Sequence, residues 1–125
     1  LSERTASNFR VGSFTSAHLQ ALNILGLHDV HFLAEQVVPC FGEFDGKGRP
    51  VSYKVDILIN DADYGTGVVE IDGDIHKKLK HELKDESRDA KLKNLGLWVE
   101  HIPNEEVAGI MQILEKHRRA RDDHS

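Results

Sequence analysis

Between Val51 and Asp72 the chain reads VSYKVDILIN, DADYG, TGVVEID, two apolar stretches separated by five turn-forming residues. So short a connection cannot carry a crossover, so the two stretches must lie side by side as an antiparallel hairpin. In the first, Val51, Tyr53, Val55, Ile57 and Ile59 alternate and are predicted to share one side. Each stretch also carries an acid where a core strand has little use for one. Asp56 is flanked by Val55 and Ile57, and Glu70 follows Val68 and Val69. Asp72, two residues beyond Glu70, points to the same face. A hairpin places positions 56 and 70 at one level, where neighbouring carboxylates repel and are costly to ionise without a cation. Hard divalent ions bind such oxygens together with water and substrate phosphate, polarise a phosphodiester and acidify water. His76, just past a glycine-containing turn, is placed to move a proton.

Helical patterns flank the hairpin. TSAHLQALNILGL puts Leu19, Leu22, Ile24 and Leu25 near one face, with N-caps between Ser13 and Ser16 and a C-cap at Gly26. VHFLAEQVVP predicts a strand ending at Pro39, and FGEFDGKGRP a loop. In the charged stretch after Gly73 the later part is predicted helical, with Leu92 and Leu95 inward and Gly96 as cap. LWVEHIP predicts a short strand, and Asn104 caps a last helix whose stripe is Val107, Ile110, Met111 and Leu114. The strand–helix–strand unit from Val68 to Ile102 makes its two strands parallel. An α/β fold follows, a mixed β-sheet flanked by helices in the order α-β-β-β-α-β-α. Residues 1–12 are expected to be loose, 13–119 to form one domain, and 120–125 a polar tail.

The 125 residues suffice for one core. No apolar run approaches the roughly 20 residues of a membrane span, and LSERTASNFRVGSF lacks the apolar segment of a secretory signal. With no initiator Met, the chain is expected to be a piece of a larger protein or a processed product. The single cysteine, Cys40 in VVPCFG, reads as a buried structural thiol and suggests a reducing, intracellular setting. A net charge of −5 argues against a broad basic surface, although acids neutralised by metal would leave a DNA-facing protein with a negative total.

The succession YKVDILI, GVVEIDGDIH and RDAKLKNLGLWVEHIPNEEV resembles the very-short-patch-repair-like branch of the PD-(D/E)XK nuclease superfamily, which includes a phage homing endonuclease catalytic domain. The likeness covers residues 51–107 and, more loosely, the helix at 14–26 and EQVVP. It implies a restriction-endonuclease-like fold and a Mg²⁺-dependent endonuclease acting on DNA, in the cytoplasm or, if phage-encoded, in that of the host. Asp56 would be the central metal-binding aspartate, with Glu70 as the second metal ligand. Asp72 stands where many members have Lys, so that role falls to His76. Asp89 matches the helix aspartate and Gln36 a recurrent positioning glutamine. Where the first helix usually offers Glu, this chain has His18, which shifts metal preference toward Mn²⁺ or weakens activity. Lys77, Lys78 and Lys80 would grip phosphates. So small a domain is expected to draw specificity from a homodimer or a fused DNA-binding domain.

Other uses exist for the same residues. Asp72 and Asp74 also suit a turn, Asp89 a helix N-cap, and the lysine run a solvated face. His81, His101 and His117 read as surface residues, and Trp98 as core or interface. An alternative function is a catalytically inactive relative that binds nucleic acid, RNA included, or a protein partner through the same sheet.

Overall fold

The computed structural model describes residues 15–73 and 82–119, apart from the side chains of Phe41 and of residues 82–85. His76, Lys77, Lys78, Lys80, Asp74, His81, the segment 1–12 and the tail 120–125 lie outside the described residues. Helix α1 (Ser16–Leu27) precedes strands β1 (Phe32–Phe44), β2 (Pro50–Asp61) and β3 (Gly65–Asp72). Helix α2 (Glu82–Asn94), strand β4 (Trp98–Pro103), a 3-10 turn (Asn104–Gly109) and helix α3 (Ile110–Glu115) complete the chain. The described residues form one four-stranded mixed sheet, ordered β1-β2-β3-β4. Its first two pairings are antiparallel and β3–β4 is parallel.

Two cores hold helices to the sheet. Ala21, Leu25, Ile57, Ile59, Val69, Ile71, Ile102, Val107, Ile110 and Leu114 belong to one. Val38, Val55, Val68 and Leu92 form the other, with Tyr53, Leu58 and Val99 packed against it. The alternation in β2 therefore does not keep one side throughout, because Val55 and Tyr53 join a different core from Ile57 and Ile59. The change falls at Asp56, where both neighbouring ladders are interrupted. On one side the β1–β2 register skips Glu35, whose φ of 52° is left-handed. On the other, the β2–β3 ladder begins only at Ile57 paired with Val69. A non-glycine residue in that conformation costs about 1–3 kcal/mol and persists only where its surroundings impose it.

Other boundaries also differ from expectation. Strand β1 runs through Pro39 to Phe44, since an edge strand tolerates a residue without an N–H. The loop shrinks to a tight turn in which Asp45 Oδ1 accepts from Lys47 and Arg49 N–H. Helix α1 continues past Gly26 and turns at His28–Asp29, where Asp29 takes φ 57°. Leu19 and Leu95 are exposed, and Leu92 alone among the expected pair is buried. Gly96 does close α2: at φ 91° it lets Leu97 N–H reach Leu92 O while its own N–H reaches Lys93 O. Asn104 makes no capping hydrogen bond, and the expected long last helix is divided at Gly109 into the 3-10 turn and α3. Cys40 is buried, as a structural thiol would be.

Trp98 belongs to the core rather than an open face. Its indole N–H donates to Tyr64 O at 2.9 Å, and His117 stacks on it at 4.0 Å between ring centroids. Gly67 is its parallel partner, and a Cβ there would fall inside the indole ring. Gly67→Ala is therefore expected to destabilise the fold by about 1–3 kcal/mol. An unchanged urea midpoint would contradict this packing.

Candidate functional site

Asp56 and Glu70 meet where the β2–β3 ladder stops. Glu70 Oε2 accepts from Asp56 N–H and Asp56 Oδ2 accepts from Ile71 N–H, both at 2.9 Å. Each carboxylate thus takes the place of a strand carbonyl on the opposing backbone, and the gap between strands is bridged by side chains.

Two basic side chains, His18 and Arg88, stand over the pair. His18 Nε2 lies 3.2 Å from Asp56 Oδ2. Thr15 caps α1 by accepting from His18 N–H and fixes the ring through its hydroxyl, 2.7 Å from Nδ1. Arg88 Nη2 lies 3.1 Å from Glu70 Oε2 and donates to Lys54 O at 3.0 Å, with the guanidinium 5.8 Å over the Tyr53 ring. All four contacts to the acids fall on Oδ2 and Oε2, and the other oxygen of each carboxylate takes part in none of them.

The electrostatics separate the two acids. Burial pushes the Asp56 carboxyl upward, but hydrogen bonds from His18 and Ile71 outweigh it and hold the group below its usual range. Glu70 is held above its usual range, first by burial and then by the charge of Asp56, against the opposing pull of Arg88. His18 is raised, chiefly by its bond to Asp56.

A second cluster lies beside the first. His101 on β4 is the parallel register partner of Glu70. Its Nε2 is 2.7 Å from Asp89 Oδ2 and its Nδ1 3.3 Å from Asp72 Oδ2. Asp72, with Asp89 beside it, raises the imidazole to about 9 against the burial that opposes its charge. Asp89 sits in the body of α2, not at its N-terminus, so it caps nothing and pairs with His101.

The sequence-predicted residues are thus distributed as follows. Asp56, Glu70 and His18 come together, and Asp72 and Asp89 meet through His101. Gln36 lies on β1 opposite Val55, one residue from the skipped Glu35. His101 and His117 are half-buried and paired, the latter with Glu100 at 2.6 Å, so neither is a simple surface residue. Arg88 and His101 are the functional candidates that sequence reasoning missed. Both had a signal: Arg88 precedes the flagged Asp89, and Glu100–His101 interrupts an apolar strand as Asp56 does.

Among the described residues no three His, Cys, Asp or Glu side chains group to hold a metal ion. A hard divalent cation needs only one or two protein carboxylates when water and phosphate fill its other positions, and Asp56 and Glu70 are the two carboxylates brought together here. Glu70, raised first by burial and then by its charged neighbour, is the group such an ion would relieve. His18 fits less well as a ligand, because both ring nitrogens are engaged. No helix among the described residues is long and apolar enough to cross a membrane. Compared with protein-family models, curated proteins and solved structures, the chain matches none.

Proposed function

We propose that the chain is a divalent-metal-dependent endonuclease of the restriction-endonuclease-like, PD-(D/E)XK type, hydrolysing DNA phosphodiesters inside the cell. The observation that carries this is the reciprocal Asp56–Glu70 arrangement: two carboxylates at an opened strand pair, the first held below its usual range and the second raised by burial and by the first. Asp56 and Glu70 would hold Mg²⁺, or Mn²⁺ in its place. The ion supplies charge neutralisation at the phosphate and a more acidic water. His18 holds Asp56 in place and, when protonated, adds positive charge beside it. Arg88 offsets the charge of Glu70 and is positioned to exchange that contact for a phosphate oxygen. Asp72, two residues beyond Glu70 on β3, and Asp89 are tied together through His101, and Gln36 lies opposite Val55 on the neighbouring strand. His76 would take the proton of the attacking water, while Lys77, Lys78 and Lys80 hold the DNA backbone. Specificity would come from a homodimer or a fused DNA-binding domain.

A second class of function has an observation in its favour. Arg88 and His18 already contact the acids, so a metal must compete with partners the chain supplies itself. A non-catalytic relative that binds nucleic acid or a protein partner would carry this arrangement permanently. Nicking of supercoiled plasmid separates the two. Metal-dependent conversion to the open circle, abolished by a chelator, supports the endonuclease. No conversion with Mg²⁺ or Mn²⁺ at any protein concentration leaves the binding function.

A further inference from the structure

His101 is paired in the β3–β4 ladder but is not one of the acid pair, and its side chain joins three elements. It rises from β4, and both its nitrogens face carboxylates, Asp72 at the end of β3 and Asp89 in α2. All three side chains are about four-fifths buried, with exposures of 21%, 21% and 19%, so water does little to screen them. A neutral imidazole has one N–H and would turn a lone pair toward one of the two anionic oxygens. Only the doubly protonated ring serves both.

The two contacts are unequal. Asp89 receives a short hydrogen bond at 2.7 Å. Asp72 Oδ2 is a buried oxygen with no aligned hydrogen bond among the described residues, and the ring faces it at 3.3 Å as an ion pair. Asp72 is thus held by the charge of the ring, and Asp89 keeps the ring in place. The register extends this to the acid pair: Glu70, two residues before Asp72, lies beside His101 across β3–β4.

We infer that His101 is a positioning residue that, as an imidazolium anchored by Asp89, fixes Asp72 and the end of β3 for the Asp56–Glu70 site. This rests on the proposed hydrolytic function for its catalytic consequence, but the anchoring itself does not. Oδ2 of the Asp72 carboxylate, at the end of β3, makes no hydrogen bond among the described residues, so the ring is what its rotamer is set against. Losing partners of this kind, one step removed from the ligands, typically costs about 10- to 100-fold in metal affinity or activity.

The test uses the full chain and two readouts. In ¹H–¹⁵N spectra of the ring at pH 7.5, His101 is expected to show two protonated nitrogens, and Asp72→Asn and Asp89→Asn each to increase its neutral fraction. In plasmid nicking with Mn²⁺ or Mg²⁺, His101→Gln is expected to lower the cleavage rate roughly 10- to 100-fold, with plasmid affinity changed less than about twofold. Asp72→Asn should lower it similarly, and the double variant no further. If His101→Gln fails to fold, Asp89→Asn takes its place in the cycle. A neutral ring in the wild type, a ring indifferent to Asp72→Asn, or losses that multiply in the double variant would each overturn the inference. Wild-type protein that does not nick DNA removes the hydrolytic function alone, and the ring spectra then decide the anchoring.

Discussion

Asp56→Asn is expected to lower metal-dependent plasmid nicking by about 10³-fold, while the melting temperature moves by no more than the equivalent of about 1 kcal/mol. The amide keeps the shape of the side chain and one oxygen to accept from Ile71 N–H, so the bridge across β2 and β3 survives. What disappears is the charge. Without it the proposed site keeps only Glu70, whose carboxyl is already held above its usual range and which then has less reason to share a cation. Two stability effects oppose each other: His18 loses its anionic partner, and Glu70 loses a like-charged neighbour. DNA affinity measured without metal should stay level or rise, since one negative charge leaves the surface a phosphate approaches. Cleavage within tenfold of the wild type would show that Asp56 is not the centre of any hydrolytic site.

The second large effect is on stability against pH. His101 is raised from 6.5 to about 9 by Asp72 and Asp89. A histidine raised on folding stabilises the folded state fully below its unfolded value, and that contribution is lost as pH climbs through the folded value. The gap between 6.5 and about 9 corresponds to on the order of 3 kcal/mol. Thermal stability should therefore fall by roughly 10 °C between pH 6.5 and 9, with His18, also raised, adding a loss of the same sign. Comparison with His101→Gln isolates the effect, because the variant should be less stable near pH 6.5 and follow a flatter profile above it. A wild-type melting temperature that stays level across this range would mean the ring is not charged in the folded protein.

How far the sequence carried can be judged from particular residues. The hairpin was legible because five residues cannot cross a sheet, and the parallel pairing of β3 with β4 because a helix intervenes. The meeting of Asp56 with Glu70 followed from the same hairpin. Its manner did not: alternation in VSYKVDILIN is unbroken in the sequence, and nothing local announces that Glu35 adopts φ 52° or that the ladder opens at Asp56. Pairings across distant elements were also out of reach. His101 meets Asp89 from twelve residues away and Arg88 reaches Lys54 from thirty-four, distances set by packing of α2 on the sheet. The last helix was overestimated because its apolar stripe is real, yet Gly109 and an uncapped Asn104 divide it.

The substitution of carboxylates for carbonyls between β2 and β3 makes two backbone amides into gauges of the site. The N–H groups of Asp56 and Ile71 each point at an acid oxygen rather than at a neighbouring strand's peptide. A proton or a divalent ion arriving on either acid weakens the acceptor its amide sees and moves that amide's proton resonance upfield. Titrating Mg²⁺ into labelled protein should shift positions 56 and 71 together, ahead of the rest of β2, and so register occupancy with no nucleic acid in the tube.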